Sequence, residues 1–389
     1  MTLFDNADLI IVGAGFYGMT IAERAASEGF RVVVVDKRDH IGGNAYTYAD
    51  PATGIEIHKY GPHVFHTNSE QIFRYLSKFT EWESYEQRTW SVSKGRAYPM
   101  PINLATICLF NNRVMSPAEA RAWVAENARE ITEPRNLEEK AISLIGRPLY
   151  ETFVKGYTLK QWQTDPSELP AEIITRLPVR FNYDNRYFND TYQCMPKDGY
   201  TAIFEKMSAT RRISVHLGLD WFDLDAQARP PAPVVYTGAI DRYFDYRFGV
   251  LGWRTIDLQL ETLAIEDFQG CAVMNYADAE VPWTRLSEFK HFHPGRAYEP
   301  RTVIAREFSR FASEKDDPYY PINLVEDKAR YHAYRELAEQ QDDVFFGGRL
   351  GTYRYLDMHQ AIGAALSAWE KHLRPRLTQG APFQLQEAV

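Results

Sequence analysis

The stretch Asp8–Asp36 constrains this chain more than any other. Four apolar residues, Leu9–Val12, run straight into Gly13-Ala-Gly15-Phe16-Tyr-Gly18, and a helical pattern then leads to Arg31-Val-Val-Val-Val35-Asp36. A short apolar run bounded by glycines reads as a strand buried on both faces. Gly13 permits a tight turn, Gly15 lets a pyrophosphate approach the backbone, and Gly18 lets a helix sit close on the strand. Met19, Ala22 and Ala25 recur at helical spacing, and Gly29 stops the helix. Asp36 ends the second strand about 20 residues beyond the glycines, where an acid meets a ribose hydroxyl. Strand, glycines, helix, second strand and terminal acid together predict a βαβ dinucleotide unit, with an anion at the positive end of its helix.

The rest of the chain is too long for one small core. At 389 residues it implies two or three domains. A hydrophobic content of 45% and a charged content of 25% are those of an ordinary globular protein. The net charge of −8 argues against nucleic acid as a partner, while a small anionic substrate needs only a local basic pocket. Cys108, Cys194 and Cys271 are dispersed and odd in number, so they suggest neither a metal site nor a disulfide framework, and they suit a reducing compartment. No apolar run approaches the ~20 residues that span a bilayer. The first strand begins within ten residues, with no signal peptide ahead of it, so the expectation is a soluble, cytoplasmic protein without membrane insertion.

Beyond Asp36, the segment Lys37-Arg-Asp-His-Ile-Gly42-Gly43-Asn44 offers a second place where backbone can approach a ligand, which favours FAD over NAD. Lys59–Asn68 reads as a loop holding His63 and His66, with no third ligand at metal spacing. Ser116-Pro-Ala-Glu119 predicts a capped helix to about Arg129, Asn136–Gly146 a second, and Pro148 to Gln161 a third. Gln161–Pro170 reads as a loop able to move over a pocket, and Ala171–Leu177 as a short helix stopped by Pro178. Val234–Tyr236 and Asp342–Phe346 read as buried strands. Thr255–Leu263 and Arg301–Phe308 alternate as in an antiparallel sheet, and Met358–Leu366 forms a helix with Asp357 near its start.

Six segments together carry a resemblance: Gly13–Gly18, Gly61-Pro-His-Val-Phe-His-Thr67, Gly156-Tyr-Thr-Leu-Lys-Gln-Trp162, Leu177-Pro-Val-Arg180, Tyr236-Thr-Gly238 and Gly348–Asp357. Over nearly its whole length the chain resembles the bacterial UDP-galactopyranose mutases. The resemblance implies an α/β fold: a Rossmann-like FAD-binding domain (1–80, 196–240, 320–389), an inserted helical domain (100–180) and an antiparallel β-sheet domain (81–99, 181–195, 241–319). It implies interconversion of UDP-galactopyranose and UDP-galactofuranose, with the opened sugar held as an iminium on N5 of reduced FAD, a reductant such as NAD(P)H, and a homodimer or higher homo-oligomer.

By the same resemblance, Arg176 and Arg285, both counted as catalytic, hold the diphosphate, with Arg254 nearby. Phe153 and Tyr157 flank the uracil, Thr158 lies beside them, and Trp162 rides on the mobile loop. Tyr187, Asn275, Tyr320 and Tyr355 surround the diphosphate and sugar. His63 and His66 lie in a loop under the flavin, with His66 catalytic. Arg349, Tyr355, Leu356, Asp357 and Met358 join Gly13, Gly15, Phe16, Gly18, Asp36, Lys37, Gly43 and Asn44 around the cofactor. The helix beginning at Asp357–Met358 aims its positive end at the flavin's pyrimidine edge, and Asp357 is also counted among the catalytic residues. Val154 stands where some members carry a second aromatic. Two rival readings share parts of the pattern: a flavin oxidoreductase of the amine-oxidase or desaturase type, and a nucleotide-binding module without catalysis. For the aromatics, core packing is the plain alternative to stacking on a base. For each arginine it is a surface ion pair.

Overall fold

A computed structural model describes residues 4, 6–174, 179–224, 232–380 and 383. Its organising layer is a five-stranded parallel sheet in the order Ile213–Leu217, Val32–Asp36, Leu9–Val12, Val234–Tyr236, Val344–Phe346. Leu9–Val12 is flanked on both edges, and all four of its side chains are buried, which is why it reads as an unbroken apolar run. The helix Phe16–Ser27 covers one face and packs against Met358–Ala368, so the two ends of the chain meet over this sheet. A Cβ on Gly18 would lie 2.1 Å from the carbonyl oxygen of Gly13 and 2.9 Å from Ile11 Cγ2. Helix and strand can be this close only because that side chain is absent.

The second layer is a seven-stranded sheet in the order Tyr320–Pro321, Trp253–Leu263, Thr302–Phe311, Arg285–Glu288, Val273–Tyr276, Thr89–Ser93, Arg96–Met100. All neighbours run antiparallel except Val273–Tyr276 and Thr89–Ser93, which run parallel because two distant segments supply them. Trp253–Leu263 is not alternating throughout. Its first four residues are buried, and from Asp257 onward most are exposed. Tyr320–Pro321 covers only its start, and beyond that the strand is an open edge.

Between these layers and solvent lie the helices Leu104–Phe110, Pro117–Ala128 and Leu137–Ile145. The side chains of Asn103, Ser116 and Asn136 cap them, and Ser116 and Glu119 form the expected capping box. They enclose a core of their own, including Ile107, Val124, Ile142 and Tyr150.

The third helix is present where expected, unbroken from Arg147 to Trp162, but its middle, Glu151–Lys155, is a π-helical turn between Arg147–Tyr150 and Gly156–Trp162. That turn delivers Gly156 to the hairpin, where a Cβ would stand 2.3 Å from Ala277 O. The segment Lys59–Asn68 is not wholly a loop, because Phe65–Thr67 pairs antiparallel with Tyr192–Pro196, and His66 therefore sits on a strand. The short helix expected at Ala171–Leu177 is a 3₁₀ turn over Ala171–Ile174, and residues 175–178, with Arg176, lie outside the described residues.

His58 is buried, and its ring lies near-parallel to those of Phe289 and Phe292. Its Nδ1 accepts the backbone amide of His63 at 3.0 Å. Burial pushes the His58 imidazole down to about 3, against the pull of Glu56. Burial also pushes His63 down to about 4. The unfolded chain binds these protons near pH 6.5, whereas the folded chain refuses them until well below. The stabilisation is therefore complete above about pH 6.5 and is lost as pH falls toward 4, by up to ~1.4 kcal/mol per pH unit for each ring.

Two outcomes follow from this packing. Denaturant titrations between pH 7 and 5 will show stability falling with acid, and His58→Gln, whose amide oxygen can still accept the His63 amide, will flatten the slope. In thermal melts Gly18→Ala will be destabilised by about 1–3 kcal/mol. Gly295→Ala, with nothing within 4 Å of the added atom, will melt like the parent.

Candidate active site

Two cavities open off the junction of the two sheets. The first, about 290 Å³, is walled by the fingerprint turn, Gly13, Gly15, Phe16 and Gly18, with Asp36, Lys37, Gly43, Asn44, His63, Arg349, Leu356 and Met358. The second, about 930 Å³, lies between the seven-stranded sheet and the helix Gly156–Trp162. Asn44, His63, Arg349 and Met358 line both, so the two spaces meet there.

The first cavity fits a dinucleotide on three counts. Gly15 and Gly43 stand back to back: a Cβ on Gly43 would fall 3.0 Å from the Gly15 Cα, so two bare backbones form one wall. The helix Phe16–Ser27 has no side-chain cap and no acid in its first turn, which leaves its leading amides for an anion. Asp36 accepts the amides of Ala14 (2.7 Å) and Arg38 (2.9 Å), which fixes its carboxylate at the strand end with further acceptor capacity. Lys37 is drawn aside to Asp317 at 3.1 Å, and Arg38 to the same carboxylate at 2.9 Å.

Strand register builds the second cavity. Asn275, Arg285 and Glu307 are direct cross-strand partners on three neighbouring strands. Arg285 Nε donates to Asn275 Oδ1 at 3.2 Å, and its Nη1 lies 3.8 Å from Glu307 Oε2. Burial pulls the Arg285 pKa down, but the Glu307 carboxylate and the neighbouring Tyr157, Tyr187 and Tyr320 together raise it, so the cation is secure. Asn275 thus acts on the arginine and not on the cavity, which it does not line.

Arg254 is different. It is 1% exposed and stacks over Phe311 at 4.3 Å. Its Nη2 donates to Ser309 Oγ at 3.1 Å, and its Nη1 reaches Gln163 Oε1 at 3.4 Å. Among the described residues its Nε has no hydrogen-bond partner and no carboxylate forms an ion pair with it. Burial and the like charge of Arg310 lower it to about 10, so it remains a cation at neutral pH.

The facing wall is the helix Gly156–Trp162. Lys160 Nζ donates to the carbonyls of Tyr276, Asp278 and Trp283 at 2.7–3.0 Å, which pins this helix to the hairpin that carries Arg285. Tyr157 and Gln161, one turn apart, face the cavity together with Trp162. Tyr187, Tyr320, Tyr355, His66 and Asp357 complete the wall. Burial raises Tyr157 to about 12 and also raises Tyr320 and Tyr355, so their phenols remain hydrogen-bond donors at neutral pH. Tyr355 and Asp357 belong to this second space and not to the first. Gln360 Oε1 accepts the Asp357 amide at 2.9 Å, at the start of Met358–Ala368.

Phe153 and Thr158 do not line either cavity. Both are buried, and Phe153 packs edge-on against Tyr98 and near Phe110 in the helical core, which is the plain reading open to any aromatic. Val154, beside it, is buried in the same core. Sequence reasoning missed Glu307 and Asp190, the partners of Arg285 and His66. An acid on an otherwise inward-facing strand position was the available signal for Glu307. For Asp190 there was none.

Against known proteins, residues 152–355 match the sequence profile of UDP-galactopyranose mutase, and residues 11–79 that of an NAD(P)-binding Rossmann-like domain. The chain is 45% identical over 370 residues to the "Probable UDP-galactopyranose mutase" of Klebsiella pneumoniae, covering 95% of each. It is 39% identical over 371 residues to the dTDP-fucopyranose mutase of Escherichia coli, covering 94% of this chain and 98% of that one. The fold is shared with a crystal structure of reduced UDP-galactopyranose mutase, at a TM-score of 0.74 and 15% identity over 96% of this chain and 98% of that one. Identity at this level along almost the whole length leaves one assignment: the chain belongs to the UDP-galactopyranose mutase family.

Proposed function

We propose that the protein is a flavin-dependent isomerase that interconverts UDP-galactopyranose and UDP-galactofuranose, with FAD in the first cavity and the sugar nucleotide in the second. The observation that carries this is the pairing of a dinucleotide cradle with an adjoining chamber that holds a buried arginine without a counter-charge among the described residues. A buried cation without a carboxylate is costly unless an anion arrives. A diphosphate supplies one. Arg285 and Arg254 stand at the floor of the chamber, and their planar forks suit phosphate oxygens in a way an ammonium does not. The tyrosines donate from neutral phenols, and Trp162 and Tyr157 offer apolar surface to a pyrimidine.

The reaction exchanges O5 for O4 at the anomeric carbon, with no net electron transfer. Bound in reduced form, FAD supplies an electron-rich centre to face the anomeric carbon once the diphosphate departs. The chain itself holds the leaving diphosphate, orients the sugar and excludes water. A reductant outside the protein must set the flavin's state, and we infer NAD(P)H or an equivalent donor. The family match, which reaches to residue 355, favours a mutase over an amine-oxidase-type enzyme, whose likeness to the fingerprint alone would end far earlier.

The test is purified holoprotein, dithionite, UDP-galactofuranose and chromatography of the products. UDP-galactopyranose should accumulate only after reduction. Turnover by the oxidised protein, or stoichiometric oxidation of the sugar, would contradict the reading. The 39% identical relative makes dTDP-fucofuranose the control substrate, and a clear preference for it would reassign the sugar nucleotide while keeping the reaction.

Two variants probe the floor. Arg285→Ala should keep its FAD and lose about 10- to 150-fold in kcat/KM, the loss of one charge-assisted contact to phosphate. Arg254→Met should likewise lose activity while its Tm holds or rises, because an uncompensated charge leaves the interior.

A further inference from the structure

We propose that Asp190 is a positioning residue of the substrate chamber. It fixes His66 as the tautomer protonated on Nδ1 and so presents the bare Nε2 as a hydrogen-bond acceptor for a sugar hydroxyl. This rests on the mutase reading for the identity of the hydroxyl, but not for the tautomer.

His66 lies in the middle of Phe65–Thr67, between two buried neighbours whose side chains point the other way, and it lines the chamber. Its Nδ1 is 2.7 Å from Asp190 Oδ2. Asp190 is only 20% exposed and is held in place from its other side, where Asn68 Nδ2 donates to Oδ1 at 2.6 Å. Asn68 cannot be turned round, because its Oδ1 accepts the Thr191 amide at 2.9 Å, and a backbone N–H is a donor only. The carboxylate is therefore an acceptor at both oxygens, and the proton of a neutral His66 ring belongs on Nδ1.

Phe188 lies flat on the imidazole, with ring centroids 3.6 Å apart and planes 12° from parallel. That stack resists rotation of the ring about Cβ–Cγ, which would put Cδ2 in place of Nδ1 against Asp190. His359 stands nearer to perpendicular to the ring, with centroids 4.8 Å apart. One ligating atom each from His66, Asp357 and His359 lies within 4.8 Å of the others, beside Met358, which both cavities share. With Nδ1 held by Asp190, Nε2 is the nitrogen left to meet a ligand in the chamber that His66 lines, close to where the cofactor space and the substrate space meet. A sugar changing its ring size must present O4 or O5 as a hydroxyl at each end of the reaction, and an acceptor fixed in advance orients that hydroxyl without reorganisation.

The experiment has two arms. In the first, holoprotein carrying 15N-histidine is examined without substrate by long-range 15N–1H NMR. His66 should show a protonated Nδ1 and an unprotonated Nε2, and Asp190→Asn should move the ring toward the opposite tautomer. In the second, Asp190→Asn should lower kcat by about tenfold or more, with KM within about twofold and flavin content unchanged. His66→Ala combined with Asp190→Asn should be no slower than His66→Ala alone. A wild-type His66 protonated on Nε2, an Asp190→Asn enzyme within twofold of wild-type turnover, or additive losses in the double variant would each overturn the inference. The first arm needs no turnover, so it stands even if the mutase reading fails.

Discussion

The site depends on charge that the protein buries without fully neutralising. Arg285 has Glu307 and Asn275 beside it, but among the described residues Arg254 has only a hydroxyl, an amide oxygen and an aromatic face. Folding alone would replace such a cation with an apolar side chain of similar volume. Keeping it makes sense where binding returns what folding loses, and a diphosphate settling over two fixed guanidinium groups does so. The rest of the second sheet serves that placement. Its register sets Asn275, Arg285 and Glu307 in one row, and Arg254 opposite Phe311.

The same logic governs the opposite wall. The helix Gly156–Trp162 must stand close enough for Tyr157 to face the arginines. Gly156 gives up its side chain so that the backbone can touch Ala277, and Lys160 ties three carbonyls of the hairpin to the helix. Beyond Trp162 the helix ends at Gln163, whose φ of +51° is that of a left-handed cap. The helix stops there, and the chain returns to the chamber wall at Pro170 and Ile173. Gln163 carries the oxygen that Arg254 reaches at 3.4 Å, so the cation and the end of the helix are in contact before any ligand enters.

Much of this was legible in the chain. The fingerprint specifies its own backbone geometry through glycines, so strand, helix and acid could be read from Leu9 to Asp36 without tertiary information. Caps at Ser116 and Asn136 are equally local, and both helices begin where those residues place them. What escaped depends on contacts far apart in sequence. Asp190 reaches His66 across 124 positions, and the strand that carries His66 exists only because Tyr192–Pro196 pairs with it. Phe153 illustrates the limit from the other side. Its motif suggests a base platform, yet Tyr98 and Phe110 claim the ring for the helical core. A π-turn, which no periodicity announces, decides which face of that helix looks outward.

That the two cavities act as one chamber is the claim on which the rest turns, and a single titration tests it. UDP added to oxidised, FAD-loaded protein should produce a saturable flavin difference spectrum, because the nucleotide and the isoalloxazine adjoin across Asn44, His63, Arg349 and Met358. UDP that binds by calorimetry and leaves the flavin spectrum untouched would place the nucleotide elsewhere and contradict the account.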